Sequence, residues 1–128
     1  MNIISNQICI RMMCLLKSDT LESAEKIISK DPRLSYFYSS EIIRKRFPKG
    51  EKEIAKVPLI ALDYARNVLK DRFAKAEKNF ISSPEICYNY FKYVVQAKLP
   101  VKMHNAMLVA SFEKPINKFV EKYFQEVL

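Results

Sequence analysis

The chain has 128 residues, a length suited to one domain, and 49% of them are hydrophobic, enough for a core and too many for a disordered segment. A single Gly and no Trp argue against a sheet protein with many tight turns and against a Gly-rich phosphate loop. The net charge of +8 favours contact with something acidic, whether nucleic acid, an anionic membrane or an acidic protein.

In chain order, Met1 to Leu16 is fairly apolar but carries Asn6, Gln7 and Arg11. It has no basic lead and no small-residue cleavage site, so neither a signal peptide nor a membrane span is expected, and the chain reads as a soluble cytoplasmic protein. Residues 3–17 predict a first helix, and Asp19 with Glu22 predicts a capping box for a short helix over about 20–29. Cys9, Cys14 and Cys87 are odd in number and include no Cys-x-x-Cys, so buried thiols in a reducing compartment are expected rather than a disulfide framework or a zinc site.

From there a 26-residue period sets the organisation: Pro32, Pro58 and Pro84 keep that spacing, and so do Tyr38, Tyr64 and Tyr90. Arg46, Arg72 and Lys98 follow in step, then Phe47, Phe73 and Leu99, with Glu51 and Glu77 preceded one period earlier by Glu25. Residues 28–53 and 54–79 share nine identities in this register, and 54–79 and 80–105 share five. The pattern predicts an all-α, solenoid-like stack of helix-turn-helix units, with repeats at 28–53, 54–79 and 80–105 between capping units at 1–27 and 106–128.

Within each unit the proline predicts the first residue of a long helix, where its missing N–H is not needed. Asp31 and Ser83 are N-cap candidates, whereas Val57 is a poor one. The columns Leu34/Ile60/Ile86, Tyr38/Tyr64/Tyr90 and Ile42/Val68/Val94 form one apolar stripe beside a small residue at Ser35, Ala61 or Cys87. The long helix is expected to stop near Arg46, Arg72 and Lys98, and a short one to start at Pro48, Ala74 and Pro100. Pro115 predicts the start of a last helix reaching about Val127, out of register with the period.

No Walker loop, Rossmann fingerprint, zincin motif or nucleophile–base arrangement is present, so a non-enzymatic protein without a cofactor or metal site is expected. His104, in the column of Lys52 and Lys78, is expected on a charged surface rather than as a catalytic base. Arg46 and Arg72, each followed five residues on by Glu51 or Glu77, read as staples of the turn or of one repeat to the next, more than as a phosphate-gripping ladder. Net charge sits on the central repeats: residues 28–79 carry thirteen Lys and Arg against seven Asp and Glu. Arg44/Lys70, Lys49/Lys75 and Lys52/Lys78 recur in register and are candidates either for a track along a nucleic-acid backbone or for a solvated face. Tyr88, Phe91 and Tyr93 lie off the core column and are candidates for a binding surface, with Tyr36 and Phe37 posing the same question.

The unit from Pro58 to Glu77, Pro-x-x-Ala-x-x-Tyr-Ala-x-x-Val-Leu-Lys-x-Arg-Phe-x-x-Ala-Glu, resembles short helical repeats in proteins of large tailed bacteriophages. In those the aromatic after Arg is often Trp, followed by Pro-Glu-Ala-Glu, where this chain has Phe47-Pro48-Lys49-Gly50-Glu51 and Phe73-Ala74-Lys75-Ala76-Glu77. The resemblance implies a phage or prophage origin and carries over no catalytic residue. A repeat surface with excess aromatics and no catalytic set makes a module binding a host or phage protein the expected function, with nucleic-acid binding as the alternative. No membrane contact is expected, and the oligomeric state is open.

Overall fold

The prolines decide where the long helices begin. In this computed structural model, which describes residues 20–127 together with Arg11, Met12, Cys14 and Lys17, the described chain is all-helical. Its α-helices are α1 (Leu21–Ile28), α2 (Pro32–Phe37), α3 (Pro48–Ala55), α4 (Pro58–Tyr64), α5 (Ala74–Phe80), α6 (Pro84–Tyr90), α7 (Val101–Ala110) and α8 (Lys118–Glu126). Three of them widen without a break into a π-helical turn: α2 into π1 (Tyr38–Ile42), α4 into π2 (Ala65–Leu69) and α6 into π3 (Phe91–Val95). The helix predicted over 3–17, the cap predicted at Asp19 and Cys9 lie outside the continuously described residues.

Pro32, Pro48, Pro58 and Pro84 each occupy the first turn of a helix, where a missing donor costs nothing. Asp31 caps α2 by accepting from the Arg33 and Leu34 amides, and Ser83 caps α6 by accepting from Ile86. Val57 offers α4 no side-chain cap. The cap of α1 is Thr20, whose hydroxyl accepts from Ser23 N at 3.2 Å.

The long helices end earlier than predicted. Arg44, Lys70 and Gln96 sit in the left-handed region with φ of 52°, 53° and 55°, which turns the chain out of the helix before Arg46, Arg72 and Lys98 are reached. The bonds that widen the turn span five residues, from Ile43 N to Tyr38 O at 2.9 Å and from Gln96 N to Phe91 O at 2.8 Å. The last helix also differs from expectation. It starts at Lys118 behind the cap Asn117, whose side chain accepts from Phe119 N and Val120 N, and Pro115 lies in the preceding loop. An Asn side chain that meets two end-of-helix amides is a stronger start than the fixed φ of a proline.

Packing arranges the helices in two rows. Each long helix packs on the next, α2 on α4, α4 on α6 and α6 on α8, while the short ones make the second row, α1 on α3, α3 on α5 and α5 on α7. Tyr38, Tyr64 and Tyr90 are wholly buried between the rows with Ile54, Phe80, Met103 and Met107. The small side chains beside the stripe are buried too. Ser35 Oγ donates to Ile28 O at 2.8 Å and Cys87 Sγ to Phe80 O at 3.1 Å, each seven residues back. Where Ser35 faces Gly50, a Cβ on the glycine would lie 2.6 Å from Ser35 Cβ and 2.8 Å from Phe47 Cδ2, so the backbones meet there more closely than any side chain permits. Among the described residues no helix is long and apolar enough to cross a membrane.

Candidate binding surfaces

Polar residues in the buried columns are committed to bridges between one helix pair and the next. Tyr64 donates its hydroxyl proton to Glu51 Oε2 at 2.7 Å and accepts from Phe47 N at 2.9 Å. Arg46 closes on the same carboxylate through Nε and Nη2 at 3.0 and 2.9 Å, and Lys75 reaches it from α5 at 3.4 Å. Glu51 is 0% exposed, so a bare charge there would cost several kcal/mol, and four donors meet it instead. Burial pushes its carboxyl up, but the hydrogen bonds from Arg46 and Tyr64 and the Arg46 charge outweigh burial and hold it below the usual range.

The same geometry stands one period on. Tyr90 donates to Glu77 Oε2 at 2.6 Å and accepts from Phe73 N at 2.8 Å, while Arg72 meets Glu77 through Nε and Nη2, both at 2.9 Å. One period earlier, Tyr38 donates to Glu25 at 2.6 Å and Lys49 reaches that carboxylate at 3.2 Å. Burial and the carboxylate beside it push the Tyr38 phenol up to about 12, and the same causes push Tyr64 and Tyr90 up. All three are donors at any physiological pH.

The candidate basic rows divide by partner. Lys49 bridges back to Glu25, and Lys75, one period on, bridges back to Glu51. Arg44, Lys70, Lys52 and Lys78 are exposed, and their side chains make no ion pair or hydrogen bond among the described residues. Arg44 and Lys70 also carry the left-handed turns. A groove of about 560 Å³ opens between the two turns, with Arg44, Lys45 and Arg46 on one side and Arg72 and Lys75 on the other, over a floor that includes Val68 and Leu69.

The candidate aromatic surface is mostly covered. Tyr88 and Phe91 are only 5% and 8% exposed because α8 lies over them, with Phe119 stacked 5.9 Å from Tyr88 and Tyr123 edge-on 4.9 Å from Phe91. Tyr88 also donates to Glu126 at 2.5 Å. Only Tyr93 remains open, with the Arg66 guanidinium 4.2 Å above its ring. Tyr36 is half-buried and accepts from Asn67 at 2.9 Å.

His104 is not a surface residue of the lysine column. It is half-buried, with Nδ1 2.6 Å from the Tyr123 hydroxyl, which accepts from Leu99 N at 3.2 Å. Tyr123 does for Leu99 what Tyr64 does for Phe47, from further along the chain. Burial and then the nearby Lys98 charge lower the His104 pKa. Cys87 is buried, and burial pushes its thiol up to about 12, which keeps it protonated. Among the described residues no three His, Cys, Asp or Glu gather as metal ligands.

A surface that sequence reasoning missed lies at the C-terminal end. Val101, Leu108, Val109, Phe112 and Ile116 are all exposed on α7 and the loop after it, Phe112 to 77%. Leu108 and Ile116 line a groove of about 380 Å³ with Phe124. The spacing of Val101, Leu108 and Phe112 puts them on one side of a helix, a signal present in the sequence. No protein-family model, curated protein or solved structure matches this chain.

Proposed function

We propose that the chain is a non-enzymatic binding module, built as a solenoid-like stack of 26-residue helix-turn-helix units, that engages a protein through its C-terminal end. The observation that carries this reading is the exposed apolar surface of Val101, Leu108, Val109, Phe112 and Ile116. Apolar side chains gathered on one surface mark a partner contact more often than singly scattered ones do, and an aromatic at the centre is the usual anchor. The stack itself is supported by the Tyr–Glu–amide bridge that recurs one period apart at Tyr64 and Tyr90.

The resemblance of residues 58–77 to phage repeats supports the setting: an accessory protein of a bacteriophage acting in the host cytoplasm on a host or phage protein. The test uses the full chain, tagged, in lysate from infected cells, beside Val109→Asp/Phe112→Asp. Both side chains face solvent, so the variant keeps the native circular dichroism. A protein captured by the native chain and lost with the variant is the expected result. Capture of nucleic acid alone, or of the same proteins by both, refutes it. Nucleic-acid binding is favoured by a different observation, the basic groove.

A further inference from the structure

We propose that the groove between the turn after π1 and the turn after π2 is a phosphate site, taking one nucleotide-sized ligand per chain. This goes beyond the protein-binding reading, since it uses another face and none of the C-terminal apolar residues.

The lining brings five cations, Arg44, Lys45, Arg46, Arg72 and Lys75, around the carboxylates of Glu51 and Asp71. Counting Glu77, which holds Arg72, three carboxylates still leave two positive charges uncompensated. Two of the carboxylates are also held by the protein's own cations and phenols, while Asp71 stays exposed in the lining. Glu51 is buried beneath Arg46 and Lys75, Glu77 is engaged by Arg72 and Tyr90, and Asp71 Oδ1 accepts from Arg72 N at 2.7 Å. Arg44 and Lys45 make no ion pair among the described residues.

The two paired arginines are the feature that points to phosphate. Each binds its glutamate through Nε and Nη2 and uses neither N–H of Nη1. A guanidinium has five donors in a rigid fork, so an arginine clamped along one edge presents the other with its rotamer already fixed. Two such edges with Arg44 and Lys45 exceed what one carboxylate can accept and suit the oxygens of a phosphate. The volume of about 560 Å³ is larger than a lone phosphate needs, and Val68 and Leu69 offer an apolar floor for a sugar or base.

The site occurs once. One period later the positions of Arg44, Lys45, Arg46, Arg72 and Lys75 hold Lys70, Asp71, Arg72, Lys98 and Val101, so two of the five cations are lost, one of them to an acid, and one period earlier the first three positions hold Ser18, Asp19 and Thr20. The cations therefore form a single pocket and no track, so the ligand is short: a free nucleotide, or one segment of a single strand.

Calorimetric titration of the full chain with pyrophosphate, ADP, a short oligothymidylate and a glutamate peptide of matched charge tests this. One phosphate-bearing ligand per chain is expected, with log K falling against log salt at a slope of about −1 to −2, as few neutralised phosphates require. Arg44→Gly/Lys45→Ala removes two cations while suiting the left-handed backbone, and weakens binding by about tenfold or more. Lys30→Glu, away from the groove, leaves it unchanged. Pyrophosphate or ADP binding that displaces the oligomer identifies free nucleotides as the source; binding of the oligomer alone identifies a strand. The proposal is overturned if no phosphate-bearing probe binds at about 1 mM. It is equally overturned if the glutamate peptide binds as tightly, or if Lys30→Glu weakens binding as much as the double variant.

Discussion

Removing the hydroxyl of Tyr64 breaks two bonds at once. The phenol oxygen accepts the Phe47 N–H, at the buried entry to α3, and its proton goes to the buried Glu51 carboxylate. In Tyr64→Phe the amide loses its partner where water does not reach, which costs about 1–3 kcal/mol. Glu51 loses one charge-assisted bond but keeps Arg46 and Lys75, so that loss contributes about 1 kcal/mol more. Together they come to about 3 kcal/mol. Tyr90→Phe matches it, because Tyr90 bonds Phe73 N and Glu77 at 2.8 and 2.6 Å where Tyr64 bonds Phe47 N and Glu51 at 2.9 and 2.7 Å. Among the described residues Tyr38 bonds only Glu25, which is 19% exposed at its side chain, so water replaces the lost donor and Tyr38→Phe costs about 1 kcal/mol. Urea denaturation with an unchanged m-value reads the three directly. A Tyr64→Phe cost no larger than that of Tyr38→Phe would refute the assignment of the buried amide to the phenol.

Three further outcomes follow from single positions. Gly50→Ala destabilises the chain by about 1–3 kcal/mol by thermal or urea melt, although alanine is the better helix former, because its Cβ meets Ser35 and Phe47; a neutral or stabilising result would mean that the helices part freely there. Lys70→Gly stabilises by about 1 kcal/mol, since φ of 53° strains any residue with a Cβ and the exposed lysine side chain holds no partner among the described residues; a loss of stability would contradict this. For His104 the folded state favours the neutral ring, so the unfolded chain binds the proton more readily; stability is complete above about pH 6.5 and is lost as pH falls below it, a dependence that His104→Gln removes and that a flat native profile between about pH 7 and 5 would deny.

Much of the helical layout is legible in the sequence because it rests on residues with strong local preferences. Pro32, Pro58 and Pro84 start helices by fixed φ, and the tyrosine column marks the side that is buried. The helix ends are not legible. The left-handed turns fall on Arg44, Lys70 and Gln96, none of them the Gly or Asn that announces such a turn, and π-helical widening has no residue signature. The C-terminal end misleads for another reason. One period after Tyr90 stands Ile116, and the phenol that Leu99 requires comes instead from Tyr123 on α8. That slip carries α8 across Tyr88 and Phe91 and draws His104 inward. A search for the tyrosine that should occupy position 116 would have exposed the slip, since the next one downstream of Leu99 is Tyr123.

Everything placed on the outer surface presumes that one bridge is built twice, at Tyr64–Glu51 and Tyr90–Glu77, and consumes the polar groups between one helix pair and the next. Double-mutant cycles measure this most directly, with Tyr64→Phe/Glu51→Gln and Tyr90→Phe/Glu77→Gln set beside the crossed pair Tyr64→Phe/Glu77→Gln. The two matched cycles are predicted to return couplings of about 1–2 kcal/mol that agree within about 0.5, and the crossed cycle a coupling near zero. A matched coupling that vanishes at one site while persisting at the other, or a crossed coupling as large as the matched ones, would contradict it.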